Sequence, residues 1–204
     1  MLGKYIFTRL KPNSPIEAQI HFDAGVRLAT EGLYPEAVVE LKKAIRANPN
    51  CAASQLELGL TCHKLGHFNQ AIKAYSEALE VQPDLVTAYR NLGAAYNGLG
   101  DFVKALKAYT KAIVLTPNDP ELRNDLGLTY FNIGSYADAL KAHQQALKID
   151  PDNARAHYCL GLVYLDLDDT DLALAEHSHL KGLNETELAF QLLDKIQRQS
   201  RQAS

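Results

Sequence analysis

Tryptophan is absent from this 204-residue chain, methionine occurs once and cysteine three times. Cys51, Cys62 and Cys159 form an odd set with no close spacing, which excludes a disulfide framework and a CxxC redox or zinc pair. Such sparing use fits a reducing compartment, so a cytoplasmic location is expected. Long apolar runs are also missing. Nothing approaches the ~18 uninterrupted apolar residues of a membrane span. The opening stretch with Tyr5, Ile6, Phe7 and Leu10 is interrupted by Lys4 and Arg9 and is too short for a signal peptide. Charge of one sign is scarce: the net charge is −3. No basic stripe exists of the kind a phosphate backbone demands, so nucleic acid is excluded as a partner.

The motifs of catalysis are lacking too. There is no GxSxG elbow, no glycine loop able to cradle phosphate and no HExxH pair. Neither enzymatic activity nor a cofactor nor a metal is expected. The acidic run from Asp166 to Asp171 begins like a calcium loop. It has Asp171 and His177 where that loop needs Gly and Glu, so it reads as a helix cap. His177 and His179 are two apart, so on a helix their rings point about 200° apart and cannot share an ion. All seven histidines read as packing or surface residues.

What the chain does have is a period. Gly25, Gly59, Gly93, Gly127 and Gly161 recur every 34 residues, as do Ala37, Ala71, Ala105, Ala139 and Ala173. Gly32, Gly66, Gly100 and Gly134 form a second glycine column, which Asp168 breaks. Ala44, Ala78, Ala112 and Ala146 form another small column, broken by Leu180, and Pro49, Pro83, Pro117 and Pro151 close four copies. Within each copy, two apolar-periodic stretches of helical length flank the second glycine. Leu92, Tyr96 and Leu99 share one face, and Ala105, Ala108, Tyr109 and Ala112 share another. Gly100 suits a helix end, Asp101 a cap, and Asp119-Pro120 an N-cap followed by proline in the first turn. A glycine inside a helix costs roughly 1 kcal/mol against alanine. Five such glycines at one spacing therefore imply a steric need where helices cross.

The set Leu92-Gly93, Tyr96, Gly100, Phe102, Ala105, Tyr109, Ala112 and Pro117, recurring with small changes, resembles the tetratricopeptide repeat family. The resemblance implies an all-α fold. Helix-turn-helix repeats at 18–51, 52–85, 86–119, 120–153 and 154–187 would stack into a right-handed superhelical solenoid. Residues 1–17 would form an N-terminal segment, 188–198 an amphipathic capping helix and 199–204 a disordered tail. Where family repeats often carry tryptophan, this chain has His21, Gln55, Tyr89, Arg123 and His157.

The resemblance also implies a concave groove lined by the first helix of each repeat. Arg90, Asn91, Asn97, Asn124 and Asp125 would position a peptide backbone there, and Leu128, Phe131, Tyr158 and Leu162 would supply apolar contact. Asp23, Glu57 and Asp125 in one column favour a partly basic peptide. The carboxylate clamp of chaperone-binding relatives is missing, since Phe22/Val26, Leu56/Leu60 and Arg90/Ala94 stand in its place. The expected function is a non-enzymatic scaffold binding a peptide segment of a protein partner, with homo-oligomers allowed. The alternative is a self-assembling structural solenoid or an accessory subunit at a membrane or enzyme complex.

Overall fold

A computed structural model describes residues 14–202, and every regular element among them is an α-helix. The chain divides into two units, Met1–Leu99 and Gly100–Ser204. The first holds α1 (Pro15–Thr30), α2 (Tyr34–Ala47), α3 (Ala52–Lys64), α4 (Phe68–Val81) and α5 (Val86–Gly98). The second holds α6 (Phe102–Leu115), α7 (Pro120–Asn132), α8 (Tyr136–Ile149), α9 (Ala154–Asp166), α10 (Thr170–Gly182) and α11 (Thr186–Gln202).

Helix starts follow local chemistry. Ser14 Oγ accepts from the Glu17 amide, Asp101 from Lys104, Asn153 from Ala156 and Asp169 from Leu172. Asp119 accepts from both Glu121 and Leu122 ahead of Pro120. Each cap satisfies an amide that the helix leaves without a partner. The acidic run at 166–171 thus contributes a cap through Asp169. At the helix-to-helix turns, Gly66 and Gly134 sit in the left-handed region at φ 73° and 74°. Asp168, which breaks that column in sequence, keeps its conformation at φ 58°.

Packing explains the glycines inside helices. In the first unit, a Cβ added to Gly25 would lie 2.6 Å from Leu41 Cγ, and one added to Gly59 would lie 2.4 Å from the Tyr75 ring. In the second unit, a Cβ on Gly127 would meet the His143 ring at 2.6 Å. Hydrogen at these positions lets the paired helices approach. The alanine column at 37, 71, 105, 139 and 173 is fully buried. The first unit's core gathers Leu41, Leu58, Cys62 and Tyr75. In the second unit Leu165, Ala173, Leu180, Ala189, Leu192 and Ile196 form a cluster joining α9, α10 and α11.

Two boundaries differ from expectation, and one packing contact departs from the repeat. The expected segment 1–17 lies outside the described residues except for 14–17, which open α1. The tail expected to be disordered from 199 is helical through Gln202, while 203–204 lie outside the described residues. The added turn has a cause: Gln199 Nε2 donates to the Leu165 carbonyl and to Asp168 Oδ1, both at 2.9 Å. Finally, Gly161 does not receive His177, which repeat spacing would place opposite it. Leu192 of α11 fills that space, with Cδ2 2.5 Å from where a Cβ would stand.

Candidate peptide-binding faces

In the first unit α1, α3 and α5 lie side by side. Val26, Ala29 and Thr30 of α1 and Glu57, Leu60, Thr61 and Lys64 of α3 line a cavity of about 340 Å³, with Tyr34 at its edge. Burial alone pushes the Glu57 carboxyl above the usual carboxylate range. This spot combines apolar walls with an acid held partly out of water. The sequence reading had Val26, Glu57 and Leu60 in its groove columns but not among its site residues. The missing signal was depth, which helix periodicity does not carry. Arg90, Asn91 and Asn97 are half-buried on α5. Asn91 stands one repeat after Glu57, and its Nδ2 donates to the Thr87 carbonyl at 2.8 Å within the same helix.

In the second unit the expected clamp needs correction. Asn124 is fully buried. Its Oδ1 lies 2.6 Å from His143 Nδ1, and its Nδ2 donates to Asn153 Oδ1 at 3.1 Å. Asn153 Nδ2 in turn donates to Glu121 Oε1 at 3.0 Å. Arg155 then bridges Glu121 at 2.8 Å and Asp125 at 2.7 Å. The chain from His143 to Asp125 is a polar network, buried at His143 and Asn124 and half-exposed at Glu121 and Arg155, that ties α7 to α8 and α9. A buried amide belongs in such a network because leaving it unpaired costs about 1–3 kcal/mol. Asp125 is therefore already neutralised by Arg155, and its carboxylate does not by itself favour a basic peptide.

The apolar members of the set are partly engaged as well. Tyr158 and Leu162 pack against the cluster that α11 completes. The Phe131 ring sits 5.9 Å from that of Tyr136. Leu128, Phe131, Tyr158 and Leu162 all remain half-buried, so each keeps some surface for a ligand. The chemistry of the buried groups is otherwise quiet. Burial pushes the Cys159 thiol up to about 12 and the Cys62 thiol upward, so neither is a thiolate nucleophile near neutral pH. Burial lowers His143 to about 4, which keeps it neutral. No helix among the described residues is long and apolar enough to cross a membrane.

A sequence profile of the TPR repeat matches residues 59–100, 95–134 and 130–168, together more than half of the chain. The chain belongs to the tetratricopeptide repeat family. Its all-α, solenoid-type fold class is the one the resemblance implied, and the family is one of protein-interaction scaffolds, generally without enzymatic activity. The fold is similar to that of MamA (41-end) from Desulfovibrio magneticus RS-1, with TM-score 0.72 and 23% identity over 84% of this chain and 95% of that one. A second MamA crystal structure gives TM-score 0.72 and 27% identity, covering 80% of this chain and 95% of its own. YrrB, described as a TPR protein with an unusual peptide-binding site, gives 0.67 and 21% identity over 87% and 92% of the two chains. No curated protein matches the chain.

Proposed function

We propose that this protein is a scaffold that holds an extended peptide segment of a partner on the faces of its first-of-pair helices. The observation that carries the reading is the cavity between α1 and α3. Val26 and Leu60 offer apolar contact there, and Glu57 offers a half-buried carboxylate with no ion pair to it among the described residues. A lysine or arginine side chain seated beside Glu57 would supply that ion pair and bury its own methylenes against the leucine. The half-buried Arg90, Asn91 and Asn97 of α5 add polar groups suited to main-chain hydrogen bonds. In the second unit Leu128, Phe131, Tyr158 and Leu162 supply apolar contact, with Asn124 removed from the set and Asp125 reduced to a paired charge. YrrB, a structural neighbour, is described by its peptide-binding site.

Selection of a random peptide display library on the full chain tests this reading. Enriched peptides should carry a basic residue next to an aliphatic one, and their binding should fall at least tenfold with Glu57→Lys and with Leu60→Asp. Phe131→Ala should weaken binding by a smaller factor. Enriched peptides that bind all three variants as well as the parent would place the peptide site elsewhere. Circular dichroism at matched concentration separates loss of binding from loss of fold.

A further inference from the structure

His157 lies on α9, and Glu176 and His179 lie on α10, three residues apart and hence on one face of that helix. His157 Nδ1 is 2.6 Å from Glu176 Oε2, and His179 Nδ1 is 3.8 Å from the same oxygen. All three ligand atoms fall within 4.8 Å of one another. The other nitrogen of His157, Nε2, is 3.0 Å from the Pro151 carbonyl oxygen. A carbonyl can only accept, so Nε2 carries the hydrogen and donates it. Nδ1, 2.6 Å from a carboxylate oxygen, then either carries a second proton or gives its lone pair to a cation. Two acceptors held this close need a positive species between them, either a proton or a metal ion.

The surroundings fit the metal. A ring nitrogen that donates to a backbone carbonyl is how metal-bound histidines are oriented. A tetrahedral zinc shell, with ligands about 2.0–2.1 Å from the ion, sets neighbouring ligand atoms about 3.3 Å apart. Two of the three separations, 2.6 and 3.8 Å, straddle that spacing, and the third, between the histidines, is bounded by 4.8 Å, so the histidines must draw together around an ion. His157 and Glu176 are held in place by packing, their side chains 9% and 13% exposed. His179 is 61% exposed and stacks on His157 with ring centroids 4.9 Å apart, so it can turn its nitrogen inward at little cost. A cavity of about 450 Å³ bordered by His157, Ser178 and His179 gives a cation and its remaining water an approach.

We infer that His157 Nδ1, Glu176 Oε2 and His179 Nδ1 form a binding site for one late first-row divalent cation, of the zinc type, that clamps α9 to α10. Two imidazoles and one carboxylate suit zinc, cobalt or nickel better than the oxygen-seeking calcium or magnesium. His177 takes no part, because the relevant pair on α10 is Glu176 with His179 and the third ligand comes from another helix.

The hairpin α1–α2 supplies an internal control. It places His21, Glu40 and Lys43 at the corresponding positions, with His21 Nδ1 2.6 Å from Glu40 and Lys43 Nζ 2.7 Å from the same carboxylate. An ammonium there neutralises the glutamate and offers no lone pair. The site is thus assigned to one end of the chain only.

The test is titration of the full chain, freed of metal with chelator, with zinc alone by calorimetry and with cobalt alone by visible absorption. The parent should take up one equivalent of zinc, show cobalt d–d bands and gain several degrees in Tm. His179→Lys reproduces the α1–α2 arrangement and keeps an ion pair for Glu176. It should fold normally by circular dichroism, weaken zinc at least tenfold and lose the Tm gain; Glu176→Gln should behave likewise. Absence of zinc uptake by the parent would mean that a proton alone joins His157 and Glu176. Equal uptake by the parent and His179→Lys would mean that zinc binds elsewhere. Either result overturns the inference.

Discussion

The hairpins α1–α2 and α9–α10 hold the same histidine–glutamate pair at the same 2.6 Å, yet surround it differently. In α1–α2 the lysine at 43 completes the set, and its hydrogen bond, with that of His21, holds the Glu40 carboxyl below the usual range. In α9–α10 a histidine stands in the lysine's place and the pair is more deeply buried. The contrast recurs one packing column away. Tyr75 fills the space beside Gly59 with a largely apolar ring, whereas His143 beside Gly127 heads the polar chain through Asn124 and Asn153. The backbone period reproduces positions faithfully; it does not reproduce chemistry. Each unit writes its own polar interactions onto a shared frame.

The largest expected break between the units is acid sensitivity. His143 has a folded-state pKa of about 4 against an ordinary 6.5. Below pH 6.5 the unfolded chain binds a proton that the folded chain refuses. Stability from this residue is therefore complete above pH 6.5 and is lost as pH falls toward 4. The loss amounts to about 3 kcal/mol. Replacing His143→Gln keeps a donor for Asn124 and should flatten the stability profile of the chain between pH 6.5 and 4, measured by urea melts at stepped pH. An unchanged profile would remove His143 as its source.

The next effect is steric and belongs to the first unit. Gly59→Val drives two methyl groups against the buried Tyr75 ring and should cost about 1–3 kcal/mol in a denaturant melt. A smaller loss, about 1–2 kcal/mol, is expected for Gly66→Ala, where a Cβ has open space but the backbone is left-handed. If Gly66→Ala proves the more damaging, turn conformation rather than helix approach limits this fold.

The smallest effect on stability carries the most information about the histidine pairs. Lys43→His in α1–α2 exchanges one half-exposed ion pair and should shift stability by less than about 1 kcal/mol. It should nevertheless raise zinc stoichiometry from one to two if the difference between the hairpins lies in the third side chain alone. Stoichiometry that stays at one would show that the deeper burial of His157 and Glu176 is also required.

Much of the fold is legible in the residues themselves. Glycine and alanine columns report where helices touch, and the acids at 101, 119 and 169 report where helices begin, because both depend on local sequence. The candidate site was less legible. Asn124 looked like a groove residue because helix periodicity gives direction but not depth; only its partners His143 and Asn153, far along the chain, show that it is interior. The cavity beside Glu57 and the grouping of His157 with Glu176 likewise depend on contacts between helices. The grouping did leave a trace in sequence, since His21 and Glu40 repeat as His157 and Glu176, 19 residues apart in both hairpins. The fixed separation marks the pair as facing each other across a hairpin.

The two bonds from Gln199 to the Leu165 carbonyl and Asp168 tie the end of α11 to the bend between α9 and α10. Whenever the last described turn of α11 opens, the Leu165 carbonyl oxygen and Asp168 Oδ1 lose their donor at once. Amide exchange around 168 should therefore keep time with opening of the end of α11 rather than with opening of the core.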